Sequence, residues 1–168
     1  RSKYVYPAFL LGCIFIQNSL AIFCYLNSLP SKRKYKTNKL KEIMIINLSN
    51  KNITKLDLSN QNLKVFPKEI FELKNLRKLN LSNNQIKEIP KEIENLKLLN
   101  TLDLSNNKIS GLYSNFFNLK FLKILNFNNN KIKILPRQIS NLKLLTNLYL
   151  SNNLIKELPS EFYELKKL

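Results

Sequence analysis

Catalysis needs proton carriers, nucleophiles or metal ligands, and this chain is poor in all three. It has no histidine, which removes the usual general base and the commonest metal ligand. Its two glycines, Gly12 and Gly111, form no Gly-rich loop that could cradle a phosphate. The two cysteines, Cys13 and Cys24, both fall in an apolar N-terminal stretch and imply no disulfide framework for the remainder. Two acids, Asp57 and Asp103, stand at matching places of a repeated block. On strands two apart they would sit roughly 10 Å from each other, slightly beyond an inverting glycosidase pair. No other acid–base group accompanies them, so no enzyme, cofactor, metal ion or small-molecule substrate is expected.

The elements that position these residues follow from a period of 23. The block Leu76–Leu98 reads L-R-K-L-N-L-S-N-N-Q-I-K-E-I-P-K-E-I-E-N-L-K-L, and further copies open at Leu99, Leu122 and Leu145, with a worn one at Ile53. Self-similarity at such a fixed spacing calls for a repeat architecture. In Leu79-x-Leu81 the alternation is that of a strand with one buried face. The asparagine three residues on, Asn84, sits where the chain turns inward and needs its amide satisfied. Ile89-Pro90 then leads to Ile93, Leu96 and Leu99, a threefold spacing that fits short helical or 3₁₀ turns, with Pro90 at the first helical position. One copy alone cannot bury its leucines, whereas stacked copies share a core.

Each copy fits L-x-x-L-x-L-x-x-N-x-L: Leu76, Leu79, Leu81, Asn84 and Ile86, then Leu99, Leu102, Leu104, Asn107 and Ile109. The pattern resembles the leucine-rich repeat family, in its 23-residue class, from Ile53 to the end. That resemblance implies an α/β fold, a right-handed superhelix with a parallel concave sheet and short convex helices or 3₁₀ turns. It also implies that the concave face binds a protein or peptide. An inward amide column is expected at Asn84, Asn107, Asn130 and Asn153, with Gln61 as a variant at the first copy. The third full copy lacks the proline and carries Gly111-Leu112-Tyr113 and Phe116-Phe117, which predicts a locally different convex side repacked with aromatics.

The residues between the leucines point out of the sheet. Their central row is Asp57, Asn80, Asp103, Asn126 and Tyr149; Lys55, Lys78, Thr101, Ile124 and Asn147 flank it on one side, Ser59, Ser82, Ser105, Asn128 and Ser151 on the other. The candidate partner-binding residues are Asp57, Asn80, Asp103, Ile124, Asn126 and Tyr149. Ile124 and Tyr149 are the kind of group that anchors an interface.

The 44% apolar and 23% charged fractions are ordinary for a globular chain, but 28 Lys+Arg against 11 Asp+Glu give a net charge of +17. Heavy use of Lys, Asn and Ile also fits a coding sequence rich in A and T. Lysine ladders recur with the period, one at Lys74, Lys97, Lys120, Lys143 and Lys166. They make an anionic surface or membrane a further candidate partner. Nucleic acid is disfavoured, because stacking aromatics do not interleave with the cations.

Ahead of the repeats, residues 1–29 are mostly apolar after a basic start, Arg1 and Lys3. A secretory signal ending at Ser19-x-Ala21, a membrane-spanning helix over Tyr4–Leu26 and a lipoprotein box at Leu10–Cys13 compete there. Residues 30–42 form a basic linker. Residues 43–168 form the repeat domain, with 43–52 as a cap. Leu168 ends on an apolar position without a capping repeat, which predicts further repeats beyond it or a larger parent protein. The expected role is an exported or membrane-tethered interaction scaffold. The alternatives are the recognition arm of a larger enzyme and a surface adhesin held by charge.

Overall fold

The computed structural model describes residues 52–168. The apolar N-terminal helix, the basic linker and the cap expected over 43–52, except Asn52, lie outside the described residues. Among the described residues no helix is long and apolar enough to cross a membrane.

Five three-residue strands carry the repeat: β1 (Lys55–Asp57), β2 (Lys78–Asn80), β3 (Thr101–Asp103), β4 (Ile124–Asn126) and β5 (Asn147–Tyr149). Each block returns the chain to the same start, so every strand enters in the same direction. The sheet is parallel in sequence order, β1-β2-β3-β4-β5. The register is one period per strand: Leu56 opposes Leu79, Leu79 opposes Leu102, Leu102 opposes Leu125 and Leu125 opposes Leu148. A slip by one residue would turn the leucines outward, and the apolar column forbids it.

The return path of every coil is a 3₁₀ helix: Lys68–Glu72, Lys91–Asn95, Ser114–Asn118, Arg137–Asn141 and Ser160–Glu164. Among the described residues no α-helix accompanies the sheet, so the helical part of the expected α/β fold is entirely 3₁₀. Five residues bounded by leucines three apart leave no room for an i→i−4 ladder, and the tighter turn wins. Proline does not start these helices. Pro67, Pro90, Pro136 and Pro159 stand one residue before them in extended geometry, and the Pro90 carbonyl accepts the Ile93 N–H at 3.1 Å.

The third full coil follows the same path without proline. Tyr113 takes the vacant position at φ −88°, ψ 153°, close to its proline counterparts, and the helix Ser114–Asn118 follows in step. The backbone is therefore unchanged, contrary to the sequence expectation, while the aromatic repacking is present. Phe116 and Phe117 are buried edge-to-face at 5.3 Å, and Phe116 meets Phe127 of the next coil at 5.6 Å.

The core runs through the stack. Leu76, Leu79, Leu81, Ile86, Ile93 and Leu96 of one coil, and Leu99, Leu102, Leu104, Ile109 and Leu119 of the next, are almost wholly buried. Each contributes roughly 1.5–3 kcal/mol of burial that a lone coil could not supply. In the last coil Leu148 and Leu150 are only partly covered.

Candidate functional site

The inward amides hold the frame on which the outer face rests. Asn107 Oδ1 accepts the Ile86 N–H of the preceding coil (3.0 Å), and its Nδ2 donates to the carbonyls of Leu81 (2.9 Å), Leu104 (3.1 Å) and Ser105 (3.2 Å). Asn130 repeats this one coil on, accepting from Ile109 and donating to Leu104, Phe127 and Asn128. Asn153 repeats it again. Asn84 Oδ1 accepts two N–H groups, from Gln61 (3.1 Å) and Leu63 (2.9 Å). Gln61 departs from the column: it is only half-buried, and its Nε2 donates to the Ser59 carbonyl two residues back rather than across coils.

The asparagine before each inward amide does work the sequence reading overlooked. Asn60, Asn83, Asn106, Asn129 and Asn152 all adopt left-handed backbone, with φ between 55° and 58°, as does Asn62. Asparagine tolerates that region better than any other non-glycine residue. Their exposed side chains also link coils: Asn129 Nδ2 donates to Asn106 Oδ1 (2.8 Å) and Asn152 Nδ2 to Asn129 Oδ1 (2.6 Å). The signal was the doubled Asn-Asn in the four blocks from Leu76 onward, with Asn60-Gln61 in its place in the first.

On the outer face the register aligns two columns. Asp57, Asn80, Asp103, Asn126 and Tyr149 form one, and Lys55, Lys78, Thr101, Ile124 and Asn147 the other. Four members of the first column have a structural task. Asp57 Oδ1 accepts the Ser59 N–H (2.9 Å), Asn80 Oδ1 that of Ser82 (3.0 Å), Asp103 Oδ1 that of Ser105 (2.9 Å) and Asn126 Oδ1 that of Asn128 (3.0 Å). These are side-chain turns that finish each strand. Asp103 Oδ1 also accepts the Ser105 hydroxyl (2.7 Å), and its Oδ2 the Asn126 amide (3.3 Å).

Tyr149 breaks the series. It has no acceptor for this turn, and Asn128 of the preceding coil takes the Ser151 N–H instead, at 2.7 Å. Its ring is 44% exposed, and Ile124, on the neighbouring strand, is 38% exposed. The two therefore make an apolar step at the β4–β5 end of an otherwise polar face.

Asp57 and Asp103 are committed to turns two strands apart, and among the described residues no three His, Cys, Asp or Glu converge to hold a metal ion. A carboxyl held below its ordinary range lies on the 3₁₀ side. Glu94 Oε2 accepts Asn118 Nδ2 (2.8 Å), the main cause, and Asn115 Nδ2 (3.2 Å); Lys91 and Lys97 add smaller attraction. This ties two coils together.

A leucine-rich repeat region profile matches residues 41–132, and a leucine-rich repeat profile matches 144–165. The chain belongs to the leucine-rich repeat family. Solved structures extend the likeness. A leucine-rich repeat protein of Leptospira interrogans is 44% identical over 73% of this chain and 31% of its own, with a TM-score of 0.71. An internalin C2 from Listeria monocytogenes is 28% identical over 73% of this chain and 52% of its own (TM-score 0.66). A plant peptide hormone receptor in complex with RGF2 is 37% identical over 61% of this chain and 17% of its own (TM-score 0.56). This leucine-rich repeat chain thus spans from about a sixth to about half the length of these proteins. No curated protein sequence matches it.

Proposed function

We propose that this leucine-rich repeat chain is a recognition module that binds a protein or peptide on the outer, concave face of its sheet, with Ile124 and Tyr149 as the anchor. The observation that carries the reading is the exception at Tyr149. Its four counterparts are consumed in holding Ser59, Ser82, Ser105 and Asn128, whereas the Tyr149 turn is completed by Asn128. An exposed aromatic relieved of structural duty is the kind of residue that dominates interface energetics. The complex of the receptor relative fits a peptide ligand. Asp57, Asn80, Asp103 and Asn126 would line the polar part of the surface, with their remaining lone pairs and amides as orienting contacts.

Exported or membrane-tethered placement belongs to the same proposal, supported by the basic start and apolar run of residues 1–29. N-terminal sequencing of the secreted product tests it; retention of Arg1 in mature protein would remove the cleaved-signal version. For the face itself, Ile124→Ala with Tyr149→Ala should weaken a captured partner by about tenfold or more while the melting temperature stays within a few degrees. Undiminished affinity would refute the site. The recognition-arm alternative predicts catalytic motifs in the longer parent protein. The adhesin alternative predicts binding that collapses between low and physiological salt.

A further inference from the structure

A second surface lies away from the sheet face, on the turns that enter each strand. Leu99 N–H donates to the Leu96 carbonyl (3.0 Å), Leu122 to Leu119 (3.0 Å) and Leu145 to Leu142 (2.9 Å). All six leucines are fully buried, so each pair clamps a tight turn whose two central residues must project outward. Those residues are Lys97-Leu98, Lys120-Phe121 and Lys143-Leu144. The turns also stack in order, because Asn100 N–H donates to the Arg77 carbonyl, Lys123 to Asn100 and Thr146 to Lys123, at 2.8–2.9 Å. In these three middle coils the result is a comb with one cation and one apolar tip each, and coils roughly 4.8 Å apart; the equivalent turns at the two ends carry Lys74-Asn75 and Lys166-Lys167 instead.

Turn tips are normally polar, and burial gives no reason for these: Phe121 is 53% and Leu98 37% exposed, while Leu144 is half-buried. Of the three lysines, Lys143 has an acidic partner, Glu164 at 3.3 Å, in an exposed pair of little energetic weight. We propose that this comb is a peripheral docking edge for an anionic lipid surface. The apolar tips would sink shallowly into the headgroup layer while the lysines meet lipid phosphates and carboxylates. A soluble polyanion would use the cations but have no call for Phe121 or Leu98. The inference does not rest on the reading of the sheet face.

The chain contains no tryptophan, so Phe121→Trp in the full chain gives a single local reporter. Vesicles of phosphatidylcholine mixed with phosphatidylserine should shift its emission to the blue, brominated lipid should quench it, and phosphatidylcholine alone should do neither. Val65→Trp, on an exposed site of another turn, should stay unchanged. Lys97→Gln with Lys120→Gln should raise the lipid concentration at half-shift by about 25-fold, roughly fivefold for each charge. Ile124→Ala with Tyr149→Ala should leave the titration where it is. An unshifted Phe121→Trp, a Val65→Trp that shifts equally, or a shift reproduced by heparin would each overturn the proposal. So would a lysine pair that can be lost without effect.

Discussion

Truncating the inward asparagines should give unequal losses that follow from counting partners. Asn107→Ala removes four hydrogen bonds, yet three of the groups it leaves keep another partner. The Leu81 carbonyl still accepts Asn84 Nδ2, the Leu104 carbonyl Asn130 Nδ2, and the Ser105 carbonyl the Asn83 N–H. Only the Ile86 N–H loses its acceptor, in a place where Asn107 is 8% exposed. The cost is then that of one orphaned buried donor, about 1–3 kcal/mol, rather than four times as much. Asn130→Ala repeats this arithmetic at Ile109 and should cost the same. Asn84→Ala orphans the buried Leu58 carbonyl and deprives the part-buried Gln61 and Leu63 N–H groups of an acceptor; water softens the loss of the last two, and the total should exceed that at Asn107. Asn153 is more exposed and its Ile132 contact is only part-buried, so water can replace it and its variant should be the mildest. Urea unfolding followed by circular dichroism, with equal slopes required for comparison, measures the order. Asn107→Asp adds a control of equal shape: it can still accept from Ile86, but it sets a negative charge against three carbonyls. It should be at least as damaging as Asn107→Ala. Equal losses at Asn84 and Asn107, or an Asn107→Asp as stable as the parent, would refute the partner count.

Asn106, at φ 55°, should accept glycine at little cost, whereas Asn106→Val should lose about 1–2 kcal/mol or more through left-handed strain; comparing their urea midpoints checks this. Glu94 has its carboxyl lowered chiefly by the Asn118 amide. Its contribution is therefore present above the ordinary carboxylate range and lost as pH falls through the lowered value. Glu94→Gln should lose a little stability near neutrality and converge with the parent in acid, which flattens the acid limb of the stability-versus-pH curve. Melting curves across acid pH would show it, and an unchanged acid limb would count against the Asn118 contact.

The repeat was legible because each structural role recurs at the same column. Leu79, Leu102 and Leu125 announce a one-sided strand three times over, and Asn84, Asn107 and Asn130 an obligatory polar site, so the register followed without coordinates. Roles written in short range were harder to read. Asp103 looks like a recognition residue until its turn to Ser105 is seen, although D-x-S and N-x-S repeat with the period. Asn106 and its equivalents read as generic turn residues because a left-handed φ leaves no mark on hydropathy. Pro90 was displaced by one position because the 3₁₀ helix starts after it. Tyr113 suggested an altered coil, but its extended φ and ψ do what proline does elsewhere. The outward columns, including Ile124 and Tyr149, were readable from alternation alone. The Asn128 contact that relieves Tyr149 of its turn spans 23 residues and is visible only in the folded chain.

The most direct test of the account is a hydrogen-exchange footprint of the chain with and without a captured protein partner. The account predicts added protection at Ile124–Asn126 and Asn147–Tyr149 and their outward neighbours, with the 3₁₀ helices Arg137–Asn141 and Ser160–Glu164 unchanged. Protection confined to those helices, with the two strands unaltered, would contradict it.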